Sequence, residues 1–183
     1  MIKNNQLQLI KKLSWPEVFE IWRKNEDYSG SHWIEHWQSR GFSSWQEWRE
    51  RYVKPWGLDH LDWELYEIIN PVETVAEFCG GSFRSWAEKF YNGKDNPSFI
   101  ELAANPEIQN HQGVLKFFNN FPKETIISAV ILNGKIVIVE GMHRCAALGL
   151  AAHYGKKIDT KVQLALAQYD MQSLPVIGQQ VKQ

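Results

Sequence analysis

The sequence predicts an α+β fold, in which a small mixed β-sheet with flanking helices follows an N-terminal helical region. Two observations support this class. Eight of the nine tryptophans lie in the first 63 of 183 residues, among repeated helix-start signals. Later in the chain, two runs of β-branched residues flank the turn sequence Asn133-Gly134, and an alanine-rich stretch follows them.

The same change of pattern predicts the domain organisation. We expect a Trp-rich, mainly helical region over residues 1–93 and a core over residues 94–183, although the two are also compatible with one compact unit. The boundary falls in the polar run 92–97, which is typical of a loop.

Composition limits the possible partners and location. Twenty basic and 21 acidic residues give a net charge of −1, so charge does not support a nucleic-acid partner. No apolar run approaches the roughly 18 residues of a membrane span, and the N-terminus lacks a signal-peptide stretch, so we expect no membrane association and a cytoplasmic location. Cys79 and Cys145 are too far apart in sequence to indicate a disulfide framework or a zinc site, and we expect buried free thiols.

Helix starts are the clearest local signals in the front region. Ser14 and Ser44 are each followed by glutamate three residues later, which is the capping-box pattern, and Ser31 is placed to cap a third helix. The sequence 54–57 ends the helix that begins at Ser44. The stretch 62–70 is either extended or a helical turn, and helices are predicted over 71–78, 85–91, 98–104 and 106–119.

The back region changes to strand periodicity. Residues 125–132 and 135–139 predict a hairpin around Asn133-Gly134, because this dipeptide suits a two-residue turn. A helix then runs to Gly155, and the alternating residues 160–167 predict another strand.

The tryptophan spacing indicates packing. Trp33 with Trp37, and Trp45 with Trp48, share helical faces, which favours a core or a partner interface. Base stacking is the less favoured alternative, because glutamate alternates with arginine in this segment and leaves no positive groove.

One metal motif overlaps this segment. His32, Glu35 and His36 form H-x-x-E-H, the pattern of inverted zinc proteases, for which Glu67, Glu73 or Glu77 would have to be the third ligand. A solvated helix face is the favoured interpretation, and no metal site is predicted.

The segment Glu140 to Arg144 is the strongest functional signal. A glycine between a buried strand and a helix lets the backbone turn, and the first free amides of the helix then favour an anion. His143 and Arg144 add donors, and arginine can bind phosphate through two hydrogen bonds. In the alternative interpretation, Arg144 pairs with Glu140 and His143 is a packed histidine.

The order of helix, strand, Asn-Gly turn, strand, Glu-Gly-Met-His-Arg and alanine-rich helix resembles the ParB/sulfiredoxin superfamily, over residues 106–167. The resemblance implies that Gly141, Met142, His143 and Arg144 bind the phosphates of ATP or another NTP with Mg²⁺. It also implies catalytic roles for Glu140, as a base or metal residue, and for His143.

Individual members of that superfamily fit less closely. Met142 stands where sulfiredoxins have their reactive cysteine, so sulfiredoxin activity is not expected. The chain after the last strand is too short for the DNA-binding domain of ParB proteins, and only Glu140 resembles the acids of the free serine kinases.

Two functions therefore remain open. One is a small phosphotransferase or NTP-hydrolysing enzyme. The other is a non-catalytic module that senses a nucleotide and uses the Trp-rich region as a homodimer, protein or DNA-partner surface.

Overall fold

The computed structural model describes residues 6–28 and 32–178, except for the side chain of His32. Within these ranges the chain forms a mixed five-stranded sheet with nine flanking α-helices, which confirms the predicted α+β class. The expected helix cap at Ser31 and the C-terminal tail from residue 179 lie outside the described residues.

The sheet combines strands from both parts of the chain. The strands are β1 (Leu7–Leu13), β2 (Trp63–Ile68), β3 (Glu124–Leu132), β4 (Lys135–Glu140) and β5 (Lys161–Gln168). Their order is β1-β2-β5-β3-β4, with β3 and β5 parallel and the other neighbours antiparallel. Strand β2 therefore joins the front region directly to β5, across the expected boundary near residue 93.

The helices cover both regions. They are α1 (Trp15–Glu26), α2 (His32–Gln38), α3 (Trp45–Val53), α4 (Pro71–Ala76), α5 (Arg84–Phe90), α6 (Phe99–Ala103), α7 (Pro106–Gln109), α8 (Gln112–Asn119) and α9 (Met142–His153). Two short 3₁₀ turns, Lys54–Trp56 and Leu58–His60, follow α3.

The prediction of one helix over 106–119 was wrong, because α7 and α8 are separate. The Asn110 side chain donates to the carbonyl of Pro106 at 2.8 Å, and His111 then adopts an extended backbone. The break lets each short helix bury its own apolar residue, Ile108 in α7 and Val114 in α8.

The tryptophans of the front region pack mainly into the core, which confirms the packing predicted from spacing for the pair Trp45 and Trp48. Trp22, Trp56 and Trp63 are almost completely buried. The indole of Trp22 donates to the Ser128 hydroxyl of β3 at 2.8 Å, which ties α1 to the sheet. Trp33 and Trp37 are only partly buried.

The predicted hairpin and the helix after it are confirmed. Asn133 and Gly134 both have positive φ, which suits the tight turn between β3 and β4. Helix α9 begins directly after β4 and packs against α4, α6 and α8. Among the described residues, no helix is long and apolar enough to cross a membrane.

Candidate functional site

A cleft of about 400 Å³ lies at the N-terminal end of α9. The back region contributes the starts of α8 and α9 to its lining. The front region contributes the end of α1 and residues of α2, α3 and α5. All five residues predicted at the phosphate turn, Glu140 to Arg144, line this cleft together.

Gly141 shapes the turn between β4 and α9. Its φ of 102° is unfavourable for residues with a side chain, and a Cβ atom there would lie 2.8 Å from Cγ2 of Ile127. No side chain caps the start of α9, and its first turn contains no acidic residue. The positive end of the helix is therefore left without side-chain compensation.

Arg144 is held by internal partners. Its Nη2 donates to Oε1 of Glu140 at 2.5 Å, and its Nη1 donates to Thr125 and to the carbonyl of Ile126. Arg144 is 7% exposed and Glu140 is 4% exposed. The Glu140–Arg144 pair, which was the alternative interpretation of the sequence, is therefore present, and it fixes the turn.

Met142 and His143 have different surroundings in the cleft. The Sδ of Met142 accepts a hydrogen bond from the Gly81 amide at 3.2 Å, so this side chain anchors the neighbouring loop. The His143 ring lies 5.2 Å from the His111 ring and 5.3 Å from the Trp86 ring, centroid to centroid.

The start of α8 faces the same cleft. His111 precedes the helix without forming a side-chain cap, and the first turn of α8 contains no acidic residue. Burial lowers the pKa of His111, and the nearby charge of Lys89 adds to this effect. Lys116 lines the cleft, and its ammonium group makes no salt bridge within the described part of the chain.

The part of the lining that comes from the front region contains a second buried ion pair. Oε1 of Glu26 accepts from Nη2 of Arg49 at 2.7 Å, and Oε2 accepts from the Trp45 indole at 2.9 Å. The Arg49 guanidinium also lies within 5.1 Å of the Trp22 and Trp48 ring centroids. These contacts hold the side chains of Glu26 and Arg49 in place at the cleft.

Glu26 and Lys116 are site residues that the sequence did not reveal. Glu26 lies in the polar run 24–27, which indicates a solvated helix end. Lys116 lies on a predicted helix whose main feature in the sequence is its apolar side. The only available signal was their position on predicted helices, so finding them required the tertiary structure.

The zinc motif does not form a recognisable metal centre among the described side chains. The His36 ring contacts the rings of Trp33 and Trp48, and the His32 side chain lies outside the description. Within the described residues, no group of three or more His, Cys, Asp or Glu side chains is placed to hold a metal ion. Cys79 and Cys145 are both buried free thiols.

The chain shows no significant match to known family models, to curated proteins or to solved structures. The ParB/sulfiredoxin-like resemblance of residues 106–167 therefore stays a prediction that rests on the motif and its structural context.

Proposed function

We propose that this chain binds the phosphate groups of a nucleotide in the cleft at the start of α9. The observation that carries the proposal is that α8 and α9 both begin at this cleft, and that neither start has a side-chain cap or an acidic first turn. Two positive helix ends favour an anion between them.

The charge of the cleft supports an anionic ligand. Its lining contains the basic residues Arg49, Lys116 and Arg144 and the acidic residues Glu26 and Glu140, which leaves one positive charge before any histidine is protonated. Since each glutamate is paired with an arginine, Lys116 carries the surplus charge.

The cleft is also large enough for a mononucleotide, and one wall is aromatic. Its volume of about 400 Å³ lies within the range of ligand pockets. Trp33 is partly exposed and stacks on Trp48 with a centroid separation of 5.6 Å, so it offers a platform for a base.

In this proposal, the residues of the turn have separate roles. The backbone amides of Met142 and His143 contact phosphate oxygens, Lys116 neutralises their charge, and Arg144 with Glu140 holds the turn in place. Glu140 and Glu26 are both paired with arginine, so we propose that any Mg²⁺ is bound mainly by the phosphates and water.

Phosphoryl transfer or NTP hydrolysis is a second proposal. It is favoured by the presence of Glu26 and Glu140 on one cleft, since the sequence alone offered only one acid. His143, which lines the same cleft, is the proposed additional proton donor or acceptor.

Calorimetry with ATP, CTP, GTP and inorganic phosphate, with and without Mg²⁺, tests binding. We expect Lys116→Gln to weaken binding of the preferred nucleotide about tenfold, because it removes one charge-assisted hydrogen bond. The matched control is Lys157→Gln, which removes an exposed lysine outside the cleft and should leave the affinity unchanged.

The absence of nucleotide and phosphate binding at millimolar concentration would refute the proposal, and so would equal losses in the two lysine variants. Phosphate release or transfer measured on the same samples separates the enzyme from the binding module.

A further inference from the structure

Glu26 is a buried carboxylate at the edge of the cleft. It is the last residue of α1 and is only 4% exposed. Both of its oxygens accept hydrogen bonds, one from Arg49 and one from Trp45. No second basic residue forms a salt bridge with it in the described ranges.

A second buried carboxylate, Glu140, lies close to Glu26. The charge of Glu140 acts on Glu26, and Asn25, the residue before Glu26, donates its side-chain amide to Oε2 of Glu140 at 3.1 Å and to the carbonyl of Ile126 at 3.0 Å. Both carboxylates line the cleft. An anion that enters the cleft therefore brings its negative charge close to these two carboxylates.

The burial of Glu26 favours the protonated form of its carboxyl group. Burial raises the pKa of Glu26 to about 6, and repulsion by Glu140 contributes to the rise, although Arg49, the Trp45 hydrogen bond and Arg144 oppose it. Glu140 accepts hydrogen bonds from both Arg144 and Asn25. A proton taken up by Glu26 near neutrality would remove its repulsion with Glu140.

We propose that anion binding in the cleft is coupled to the uptake of one proton by Glu26. The inference rests on the proposed binding of phosphate groups at this site. The proton neutralises one of the two carboxylates that would otherwise lie close to the bound anion. By linkage, the anion then binds more tightly as the pH falls through the titration range of Glu26.

Other charged groups also face Glu26 or the cleft. The experiment must separate their effects on anion binding from the effect of Glu26. The groups that act on Glu26 are Arg49 and Tyr52 from α3, Glu140 from β4 and Arg144 from α9. The remaining titratable groups that line the cleft are Tyr28 after α1, His36 on α2, His111 and Lys116 at α8, and His143 on α9. The three histidines also gain positive charge at low pH and strengthen anion binding without Glu26.

The test uses sulfate, because its charge is constant where carboxyl groups and histidines titrate. Calorimetric titrations in buffers of different ionisation enthalpy measure the number of protons taken up per sulfate bound. For the wild type we expect roughly half a proton near pH 6.5, and an affinity that rises up to about tenfold between about pH 7.5 and 5.5.

Glu26→Gln is the decisive variant, because it keeps the side-chain size and cannot titrate. We expect its proton uptake to fall by most of the wild-type value and its affinity near pH 7.5 to approach the wild-type affinity at low pH. Glu20→Gln changes a side chain that is 43% exposed, on the same helix and outside the cleft, and it should behave like the wild type.

A second measurement needs no variant. Difference infrared spectra of the wild type should show a protonated carboxyl band when sulfate is added. Unchanged proton uptake in Glu26→Gln, or the absence of this band, would assign the coupling to the histidines and overturn the inference. Sulfate binding without proton uptake would overturn this inference alone. Failure of sulfate and nucleotides to bind at every pH would overturn the proposed function as well.

Discussion

The ion pair between Glu140 and Arg144 shows how one residue's role depends on its partners. On the chain the two are four residues apart, and the α9 turn brings their side chains within 2.5 Å. Both are buried, so the charge of each is compensated mainly by the other. Removing one partner from such a pair is costly because it leaves an unpaired buried charge.

We therefore predict that Glu140→Gln destabilises the fold by about 3 kcal/mol. Adding Arg144→Met to this variant should cost much less than the sum of the two single changes, since both charges are then gone. Urea unfolding of the four proteins measures this coupling. The exposed pair Glu20–Arg23 is the control and should show far weaker coupling. Additive effects at Glu140 and Arg144 would contradict the prediction.

At the residue scale, the sequence identified the turn from Glu140 to Arg144, but not the residues that other elements bring to the same cleft. Gly141 and Arg144 carry a local pattern, and their spacing also raised the pairing with Glu140 as an alternative. Glu26 and Lys116 carry no such pattern, because the first is brought to the cleft by the packing of α1 on β3. Short-range spacing cannot encode a contact made across about a hundred residues of chain.

Elements with strong local signals were predicted, and those that depend on tertiary partners were not. The hairpin, α9 and the helices that begin after Ser14 and Ser44 each contain their own turn or cap residues. Strand β1 was missed because Leu7–Leu13 is mostly exposed and rich in charge, and its regular structure comes from pairing with β2. The break at His111 was also missed, because no proline marks it and the nearest glycine, Gly113, lies inside α8.

The start of α9 is the element whose geometry is most demanding. Gly134 and Gly141 both have positive φ, but a Cβ atom at Gly134 would meet nothing within 4 Å, whereas one at Gly141 would clash with Ile127. We predict that Gly134→Ala costs about 1–2 kcal/mol from backbone strain. Gly141→Ala should cost about 1–3 kcal/mol more, because overpacking adds to the strain.

Chemical denaturation of both variants compares these costs. Equal destabilisation would show that the contact with Ile127 relaxes freely and that the turn is less rigid than the structure indicates.

At the scale of the whole molecule, β5 connects the two regions that the sequence separated near residue 93. It pairs with β2 on one side and with β3 on the other. The Trp22–Ser128 hydrogen bond adds a buried contact between the same regions. The cleft is also shared, with Glu26 and Arg49 from the front region and the α9 turn from the back.

We therefore predict that the two regions unfold together. Tryptophan fluorescence reports on the front region, which holds eight of the nine tryptophans. Thiol labelling of Cys145, which is completely buried in α9, reports on the back region once Cys79→Ala removes the other thiol. The two urea midpoints should coincide, because loss of β1 and β2 exposes one edge of β5 and the core face of β3.

A fragment of residues 94–183 supplies the complementary test. It should remain unfolded, since it lacks both the β2 partner of β5 and the tryptophans that cover β3. A folded fragment, or two separate midpoints in the full chain, would show that the regions are independent domains. The cleft at the start of α9 would then be an interface between domains, and the affinity for the proposed nucleotide would depend on how they dock.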